Sequence, residues 1–394
     1  MSQVSSVYIV SAARTPVGAF LGSLASLPAP RLGAVAIRAA LDRAKLSPDS
    51  VGEVLMGNVL SAGIGQAPAR QASIYAGIPN AVPTQGVSRV CGSGLQAVIL
   101  GAKSIALGDA DIVVAGGMES MSNVPYYLQK ARNGYRMGDG AIVDGMIFDG
   151  LFDPYNQFHM GEAAELCVKE FQVSREAQDE FAKESYRRAQ LAQKDGSFKS
   201  EIVSVEIAGA KGDKTVVSED EEPKRFMPEK MASLKPAFRK DGTITAANAS
   251  KINDGAAAVV LASERAVKER GLTPLARIAG YSSAAQAPEW FTTAPAVAID
   301  RAVSRLGLTT RDIDLYEINE AFAVVAIACA KQCGIDLATV NVRGGAVALG
   351  HPIGASGARV LTTLLYAMAD KKAKRGLATL CIGGGEAAAL VVER

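Results

Sequence analysis

The sequence predicts an α/β protein that consists of two similar halves with an insert between them. Two observations support this prediction. Residues 34–56 and residues 296–318 align without a gap, and each segment reads as an amphipathic helix, a polar turn and a short apolar strand. Between the halves the composition changes, because residues 121–246 are rich in charged side chains and polar turns. We therefore expect layered sheets with helices between and outside them, and an inserted domain over the surface of the first half.

The elements of the first half follow in a regular order. An apolar strand at residues 7–10 precedes the helix, turn and strand of residues 34–56. A Gly-rich turn then leads into a long apolar helix, a polar break and a strand that ends at Gly116 and Gly117. After the insert, the chain returns to this half through the apolar run at residues 256–261, which is typical of a buried strand.

The insert contains polar turns, among them GAKGDK at residues 209–214. The second half repeats the order of the first, with a Gly-rich turn after His351, a long helix and a strand that ends at residues 383–385. These patterns predict three units: residues 1–120 together with 247–274 as the first half, residues 121–246 as an inserted loop domain, and residues 275–394 as the second half.

The charge balance excludes broad classes of partner. The 394 residues are 48% hydrophobic and contain 42 Lys and Arg against 40 Asp and Glu, which leaves a net charge of +2. This balance gives no electrostatic reason to expect nucleic acid or membrane binding. We find no apolar run that approaches the length of a membrane span and no targeting segment at the N-terminus, so we expect a cytoplasmic protein.

The cysteines indicate reactive thiols rather than a structural framework. The chain has five cysteines and two histidines, and it has no C-x-x-C pair. Neither a disulfide framework nor a zinc site is therefore expected, and a reducing compartment fits best. The cysteines are Cys91, Cys167, Cys329, Cys333 and Cys381.

Cys91 stands directly before a predicted helix, in the stretch VCGSG. The unpaired N–H groups of a helix N-terminus favour the thiolate, but only by about 0.3 to 2 kcal/mol. The position therefore assists a nucleophile without activating it fully, and a nearby base is expected. A small buried cysteine is the alternative. The stretch also matches G-x-G-x-x-A, but the acidic residues Asp109 and Asp111 precede the following strand, which is the wrong end for a dinucleotide site, so we reject a nicotinamide site.

Three further residues stand at strand ends or Gly-rich turns that lead into helices. Asn319 follows the strand that matches residues 54–56, His351 lies in the stretch GGAVALGHPIGASGAR, and Cys381 leads into a run of three glycines. Ligand sites of layered α/β folds gather at such ends, which predicts that these residues and Cys91 lie together. For His351, a buried structural histidine is the alternative.

The motifs around these residues resemble those of thiolases, and they occur in that family's order and spacing over essentially the whole chain. This resemblance implies a five-layered α-β-α-β-α fold made of two duplicated halves with a loop domain. It also implies acetyl-CoA C-acetyltransferase activity, in which two acetyl-CoA molecules form acetoacetyl-CoA and CoA. The motifs are VCGSG at Cys91, NEAFA at Asn319, GGAVALGHPIGASGAR at His351 and CIGGG at Cys381.

The resemblance assigns a role to each residue of the active site. Cys91 is the nucleophile, and His351 takes its proton and later protonates the departing CoA. Cys381 removes the α-proton of the second acetyl-CoA, and Asn319 positions a water that holds the enolate oxygen together with His351. The backbone N–H groups of Cys91 and Gly383 hold the oxyanion of the tetrahedral intermediate.

Other residues resemble the coenzyme A site of the family. His159 belongs to an HMG motif of the short-chain biosynthetic branch and is expected at the pantetheine, as is Ser250. Arg225 is expected to reach the nucleotide end of CoA, with a solvated surface charge as the alternative. Further residues assigned to the CoA site are Leu151, Ala321 and Phe322.

The expected ligands are acetyl-CoA, acetoacetyl-CoA and CoA, with no metal and no cofactor beyond the CoA thioester. Thiolases are typically homodimers or homotetramers, and we expect a homotetramer that supplies isoprenoid precursors. The sequence departs from the family pattern at Glu386 and Ala387, where a small or neutral residue and then glycine usually follow CIGGG. An inward carboxylate at Glu386 would raise the pKa of Cys381.

Three alternative functions stay open at this stage. A β-ketoacyl synthase shares the fold and the nucleophilic cysteine, but it is expected to use two histidines where this chain has Cys381 as the second base. A non-catalytic acyl-CoA or lipid-binding relative could lose the cysteines or Asn319, which this chain keeps. A Cys–His hydrolase would not explain the CIGGG stretch.

Overall fold

The computed structural model describes residues 6–209 and 213–394. Residues 1–5, which belong to the N-terminal stretch for which the sequence indicated no targeting segment, lie outside the described residues. Residues 210–212 of the predicted polar turn also lie outside them.

The described residues form sixteen strands and ten α-helices. The strands are β1 (Val7–Arg14), β2 (Gly18–Ala19), β3 (Glu53–Gly57), β4 (Thr84–Val87), β5 (Ile112–Ser120), β6 (Tyr126–Tyr127), β7 (Val143–Asp144), β8 (Phe152–Asp153), β9 (Phe158–His159), β10 (Val205–Ala208), β11 (Lys214–Val217), β12 (Asn253–Ser263), β13 (Ala276–Ala285), β14 (Leu315–Ile318), β15 (Arg375–Ile382) and β16 (Glu386–Glu393). The helices are α1 (Ala29–Ala44), α2 (Pro68–Tyr75), α3 (Ser93–Leu107), α4 (Met160–Phe171), α5 (Arg175–Lys194), α6 (Glu264–Arg270), α7 (Ala294–Ser304), α8 (Ala323–Cys333), α9 (Ala346–Leu349) and α10 (Ile353–Lys371).

The main sheet confirms the duplication that the sequence predicts. Its strand order is β14-β15-β16-β13-β1-β12-β5-β3-β4, with β2 paired to β12. In the first half, β3 runs parallel to β5, and β5, β12 and β1 follow as antiparallel neighbours. In the second half, β14, β15, β16 and β13 repeat this order and these directions. The two halves join where Tyr8 and Ile9 of β1 pair with Arg277 and Ala276 of β13.

Three apolar cores separate the layers. One core packs α1 and α2 against one face of the first half's strands, and a second packs α3 and α10 between the strands of both halves. The third packs α7, α8 and α4 against the outer face of the second half's strands. This succession is the five-layered α-β-α-β-α arrangement of the thiolase fold, and burial of apolar faces on both sides of each sheet explains the continuous apolar strands.

The central helix α3 is mostly apolar because most of it is buried between the strands of the two halves. Residues 90–107 are long and apolar enough to cross a membrane by length and composition. The expectation that no apolar run reaches this length is therefore wrong. Most of the α3 side chains are buried in the core between the halves, and this burial explains why the helix is as apolar as a membrane span.

The first turns of α3 and α10 meet without intervening side chains. A Cβ atom on Gly94 would lie 2.8 Å from the backbone nitrogen of Ala358, and one on Gly357 would lie 2.2 Å from that of Leu95. Glycine is required at both positions, since any side chain would force the two helices apart. The segments that carry Cys91 and His351 lead directly into these two turns.

The inserted region packs on both halves, and not on the first half alone as the sequence suggested. Helix α4 packs in the core of the second half, and α5 packs against α8 and α9 of that half. Val205 and Val217 of the β10–β11 hairpin join the core of the first half. An amphipathic helix shows which of its faces is buried but not which neighbour covers that face, which explains the error.

Candidate active site

The turn that carries Cys91 has a strained backbone. Val90 has φ = +43°, a left-handed conformation that a β-branched residue rarely adopts. The hydroxyl of Ser93 closes this turn, because it accepts the N–H of Arg89 at 2.8 Å and donates to the carbonyl of Val90 at 2.7 Å. Backbone strain of this kind concentrates at functional sites, and here it presents Cys91 at the start of α3.

The thiol of Cys91 is partly exposed to a cavity and is protonated at neutral pH. Burial raises its pKa to about 12, although the backbone N–H groups of Gly383 and of Cys91 itself act in the opposite direction. The sequence predicted a lower pKa from the helix N-terminus. That prediction is wrong for the unliganded site, because desolvation of the thiolate outweighs a dipole of at most about 2 kcal/mol.

The imidazole of His351 is held in one tautomer. Its Nδ1 lies 2.6 Å from the hydroxyl of Ser356, and that hydroxyl donates its single proton to the carbonyl of Pro352 at 2.9 Å. Nδ1 must therefore donate to Ser356, which leaves a lone pair on Nε2. Nε2 makes no hydrogen bond to any residue that the structure describes. His351 lines the same cavity as Cys91.

His351 is neutral as well. Burial lowers its pKa to about 3, and the nearby guanidinium of Arg359 lowers it further in the same direction. The backbone of His351 is fixed by Asn253, whose side-chain oxygen accepts the His351 N–H at 2.9 Å. A buried neutral imidazole with a free lone pair can accept a proton from a thiol in the same cavity.

Cys381 is the last residue but one of β15 and is buried. Burial raises its pKa well above the usual range, and negative charge on Cys91 would raise it further. The following loop turns back into β16 at Gly384 (φ = +85°) and Gly385 (φ = +82°), where glycine is required. Gly383 lines the cavity, whereas Cys381 itself does not.

Glu386 points towards the surface and not towards Cys381. Its carboxylate accepts a hydrogen bond from Nε of Arg89 at 2.8 Å, and 39% of its side chain is exposed. Arg89 also donates to Gln96 at 2.6 Å. This ion pair joins the turn before Cys91 to the loop after Cys381, across the boundary between the two halves.

Asn319 is buried beside the cavity-lining residues Ala321 and Phe322. Its backbone N–H donates to Thr379 of β15 at 3.0 Å, which places Asn319 near Cys381 in the sheet. Neither atom of its side-chain amide has a hydrogen-bond partner among the described residues. Asn319 does not line the cavity.

The cavity has a volume of about 210 Å³ and mostly apolar walls. It brings together residues from both halves and from the insert, as the sequence predicted for most of the site. The predicted residues that line it are Cys91, Leu151, His159, Ser250, Ala321, Phe322, His351 and Gly383.

His159 both caps a helix and forms part of the cavity wall. Its Nδ1 accepts the N–H of Gly161 at 3.0 Å at the start of α4, and its ring stacks on Phe238 at 4.8 Å. Burial lowers the pKa of its imidazole. Across the cavity, the N–H of Ser250 donates to the carbonyl of Ala321 at 3.0 Å, which joins two predicted parts of the CoA site.

The structure does not bring Arg225 to this cavity. Its side chain is 61% exposed and lies 3.8 Å from the carboxylate of Glu222 in a different surface depression. Its contact with CoA stays a prediction.

Sequence reasoning missed the residues that hold the site in place. Glu119 is fully buried and accepts the N–H groups of Val59 at 3.1 Å, Leu60 at 3.2 Å and Gly354 at 2.9 Å. Burial raises its pKa to about 7. Gly354 lies three residues after His351, so Glu119 anchors the loop of His351 to the first half. The sequence signal that could have identified Glu119 is a glutamate near the end of an otherwise apolar strand.

Within residues 6–209 and 213–394, no group of three or more His, Cys, Asp and Glu side chains is placed to hold a metal ion. The walls of the cavity are completed by further apolar side chains that the sequence did not single out. These are Val90, Met121, Met160, Phe238, Ile252, Phe291 and Ile353.

Comparisons with known proteins agree with this geometry. The family descriptions "Thiolase, N-terminal domain" and "Thiolase, C-terminal domain" match residues 7–265 and 272–394. The chain is 56% identical to an acetyl-CoA acetyltransferase of Cupriavidus necator, with 99% of this chain and 100% of the relative covered. It is 52% identical to "Acetyl-CoA acetyltransferase ERG10, cytosolic" of Gibberella zeae, with 100% and 99% covered.

A solved structure is similar over the same length. The crystal structure of Acat5 thiolase from Ascaris suum in complex with coenzyme A superimposes with a TM-score of 0.93. It is 46% identical to this chain, with 99% of this chain and 100% of that chain covered.

Proposed function

This chain belongs to the thiolase family, and we propose that it catalyses the reversible condensation of two acetyl-CoA molecules through an acetyl group on Cys91. The chain is an acetyl-CoA acetyltransferase; the assignment of steps to residues is the proposal. The observation that supports it best is the meeting, in one cavity, of the Cys91 thiol, the lone pair of His351 Nε2 and the Gly383 backbone.

In the first step, acetyl-CoA transfers its acetyl group to Cys91. The thiol and the imidazole are both neutral at rest, so the proton passes from Cys91 to His351 Nε2 as sulfur attacks the thioester carbonyl. The N–H groups of Cys91 and Gly383, which face the thiol, then hold the oxyanion. The departing CoA thiolate takes the proton back from His351, and acetyl-Cys91 remains.

In the second step, the Cys381 thiol gives its proton to His351, which is neutral again after CoA has left, and the resulting thiolate removes a methyl proton from a second acetyl-CoA. Burial makes this thiolate a strong base, because the same desolvation that raises the pKa of the thiol favours its protonated form. His351 and a water on Asn319 hold the enolate oxygen while the carbanion attacks acetyl-Cys91. The carbon–sulfur bond to Cys91 breaks, the Cys91 thiolate takes the proton from His351, Cys381 keeps the methyl proton as its thiol proton, and acetoacetyl-CoA leaves.

The oxyanion contacts contribute more than thiol acidity in this scheme. Each donor to an oxyanion is worth about 2.7 to 4 kcal/mol, and the helix dipole at Cys91 at most about 2 kcal/mol. The raised pKa of Cys91 supports the same conclusion, since the resting site does not favour a thiolate.

We further propose that CoA lies along His159, Ser250, Leu151, Ala321 and Phe322, and that Arg225 approaches its nucleotide end. The reaction needs no cofactor beyond the CoA thioester, because sulfur, imidazole and backbone groups supply every proton transfer and charge contact. A cytoplasmic homotetramer that supplies isoprenoid precursors is the proposed context. The name of the Gibberella zeae relative, which includes "cytosolic", supports the location.

The assignment is tested with the purified full chain and 3-ketoacyl-CoA substrates of increasing length. The expected result is cleavage of acetoacetyl-CoA by CoA, with a higher kcat/KM than for longer substrates, because His159 of the short-chain HMG motif stacks on Phe238 in the cavity wall. Incubation with acetyl-CoA alone should add one acetyl group to the peptide that contains Cys91. An equal or higher kcat/KM for a ten-carbon substrate would contradict the short-chain assignment.

A further inference from the structure

A partly buried cation in the cavity wall, Lys251, takes no part in the scheme above. Lys251 directly follows Ser250 and lines the cavity together with Ala249, Ser250 and Ile252. A lysine is rarely buried unless its ammonium is paired, because transfer of the charge from water is costly. The hydrogen-bond partners of this ammonium therefore indicate its structural role.

The ammonium of Lys251 joins two segments of the site. Its Nζ donates to the carbonyl of Ala249 at 2.9 Å and to the carbonyl of Val347 at 2.8 Å. Ala249 precedes Ser250 of the proposed CoA site, and Val347 belongs to α9, which ends directly before the segment Gly350–His351. One side chain thus links the CoA-binding segment to the segment that carries His351.

The remaining surroundings also suit a fixed positive charge. Nζ lies 5.1 Å from the ring centroid of Tyr186, whose ring stacks on Phe226 at 4.0 Å. An aromatic face at this distance attracts a cation. Burial lowers the pKa of Lys251 to about 8, and the buried carboxylates of Glu222 and Glu320 act in the opposite direction and favour the protonated ammonium.

Val347 is held from both sides by this arrangement. Its carbonyl accepts from Lys251, and its N–H donates to Glu320 at 3.0 Å. Glu320 directly follows Asn319 and also accepts hydrogen bonds from Ser185 at 2.7 Å and Asn341 at 2.8 Å. Lys251 and Glu320 therefore clamp α9 between the segments of Ser250 and Asn319.

We propose that Lys251 is a positioning residue for the condensation, whose ammonium serves as a built-in cation that fastens the Ser250 segment to the His351 segment. This inference rests on the proposed function, because it assigns the ammonium to the alignment of the CoA thioester with His351. Without the ammonium, the carbonyls of Ala249 and Val347 lose a donor, and the two segments lose the side chain that links these carbonyls.

The test uses the purified full chain and compares Lys251→Ala with Lys331→Ala, a matched change at an exposed lysine on α8. Loss of two charge-assisted hydrogen bonds should lower kcat/KM for acetoacetyl-CoA cleavage by about tenfold to a hundredfold in Lys251→Ala. Methylammonium should restore several-fold activity, because it can donate to the two carbonyls beside the Tyr186 ring. Tetramethylammonium at the same ionic strength has no N–H and should restore none. Lys331→Ala should respond to neither cation.

The outcomes separate this inference from the proposed function. A folded Lys251→Ala protein with wild-type turnover, or a loss of turnover that methylammonium does not reverse, would overturn the inference. If Lys251→Ala does not fold, the test uses Lys251→Gln, which keeps an amide donor without the charge. This variant should lower kcat/KM about tenfold. Wild-type turnover in Lys251→Gln would overturn the inference. A wild-type protein that neither cleaves acetoacetyl-CoA nor becomes acetylated would instead refute the proposed function.

Discussion

Cys91 and His351 occupy equivalent places in the two halves of the molecule. Each stands two residues before a central helix, α3 in the first half and α10 in the second, and the first turns of these helices touch. Burial acts on both groups but in opposite directions, since it raises the pKa of the thiol to about 12 and lowers that of the imidazole to about 3. Both groups are therefore neutral at rest.

This difference favours a neutral pair over a thiolate–imidazolium ion pair. Desolvation penalises whichever form of a group is charged, so a dry cavity favours neutral Cys91 and neutral His351 together. The proton moves only when a thioester arrives and the Cys91 and Gly383 N–H groups have an oxyanion to hold. Substitutions at the site should disturb this pair to different degrees, from the removal of the Cys91 thiol to the loss of a surface ion pair.

Removal of the thiol should have the largest effect. Cys91→Ala should lose acetyl-enzyme formation and lower kcat by roughly a factor of 10⁴ or more, since the proposed mechanism carries the acetyl group on the Cys91 sulfur. Mass spectrometry of the Cys91-containing peptide after incubation with acetyl-CoA checks the first result. Acetylation of another residue with turnover retained would remove Cys91 from the mechanism.

Removal of the second thiol should separate the two steps. Cys381→Ala should still form acetyl-Cys91, because acetylation needs His351 but no carbanion. It should lower condensation by about 10²- to 10⁴-fold, the usual contribution of a general base. It should also fail to exchange methyl protons of acetyl-CoA into deuterated water, measured by NMR. Normal condensation by the folded variant would show that Cys381 is only a small buried side chain.

Loss of the tautomer restraint should have a moderate effect. Ser356→Ala removes the acceptor of the His351 Nδ1 proton and should lower kcat/KM by about tenfold, because the imidazole can then adopt the wrong tautomer. Thr362→Ala is the matched control, since its hydroxyl donates to a carbonyl in the same helix at 2.8 Å without contact to His351. Equal losses of activity in both variants would assign the effect to helix stability.

The surface ion pair between the halves should matter least. Glu386→Gln removes the charge that pairs with Arg89, and partly exposed ion pairs contribute about 0 to 1 kcal/mol. Turnover within a few fold of wild type is therefore expected, together with a small drop in melting temperature. A large loss of acetyl-enzyme formation would show that this pair aligns the Cys91 turn with the Gly383 loop.

The sequence predicted the duplicated fold and most of the site because both leave local patterns. The apolar periodicity of each half indicates its order of helix, turn and strand. Cys91 and His351 stand in Gly-rich turns next to these elements. The motif resemblance then placed His159 and Ser250 at the cavity that the structure shows.

The remaining features depend on contacts between distant segments, which no local pattern records. Lys251 and Glu119 act through backbone groups far away in the sequence, such as Val347 and Gly354. The pKa of Cys91 was predicted in the wrong direction because burial depends on the packing of both halves. The predicted domain boundaries and the role of Arg225 stay predictions.

The protonation state of Cys91 tests the neutral pair most directly. The absorbance of the thiolate can be followed against pH in the wild type and in Cys91→Ala, and the difference isolates Cys91. Because burial raises the pKa of the thiol to about 12, the difference should stay near zero at neutral pH and rise only in strongly alkaline solution. A thiolate signal already present at pH 7, lost when His351 is replaced by alanine, would establish an ion pair and contradict the account.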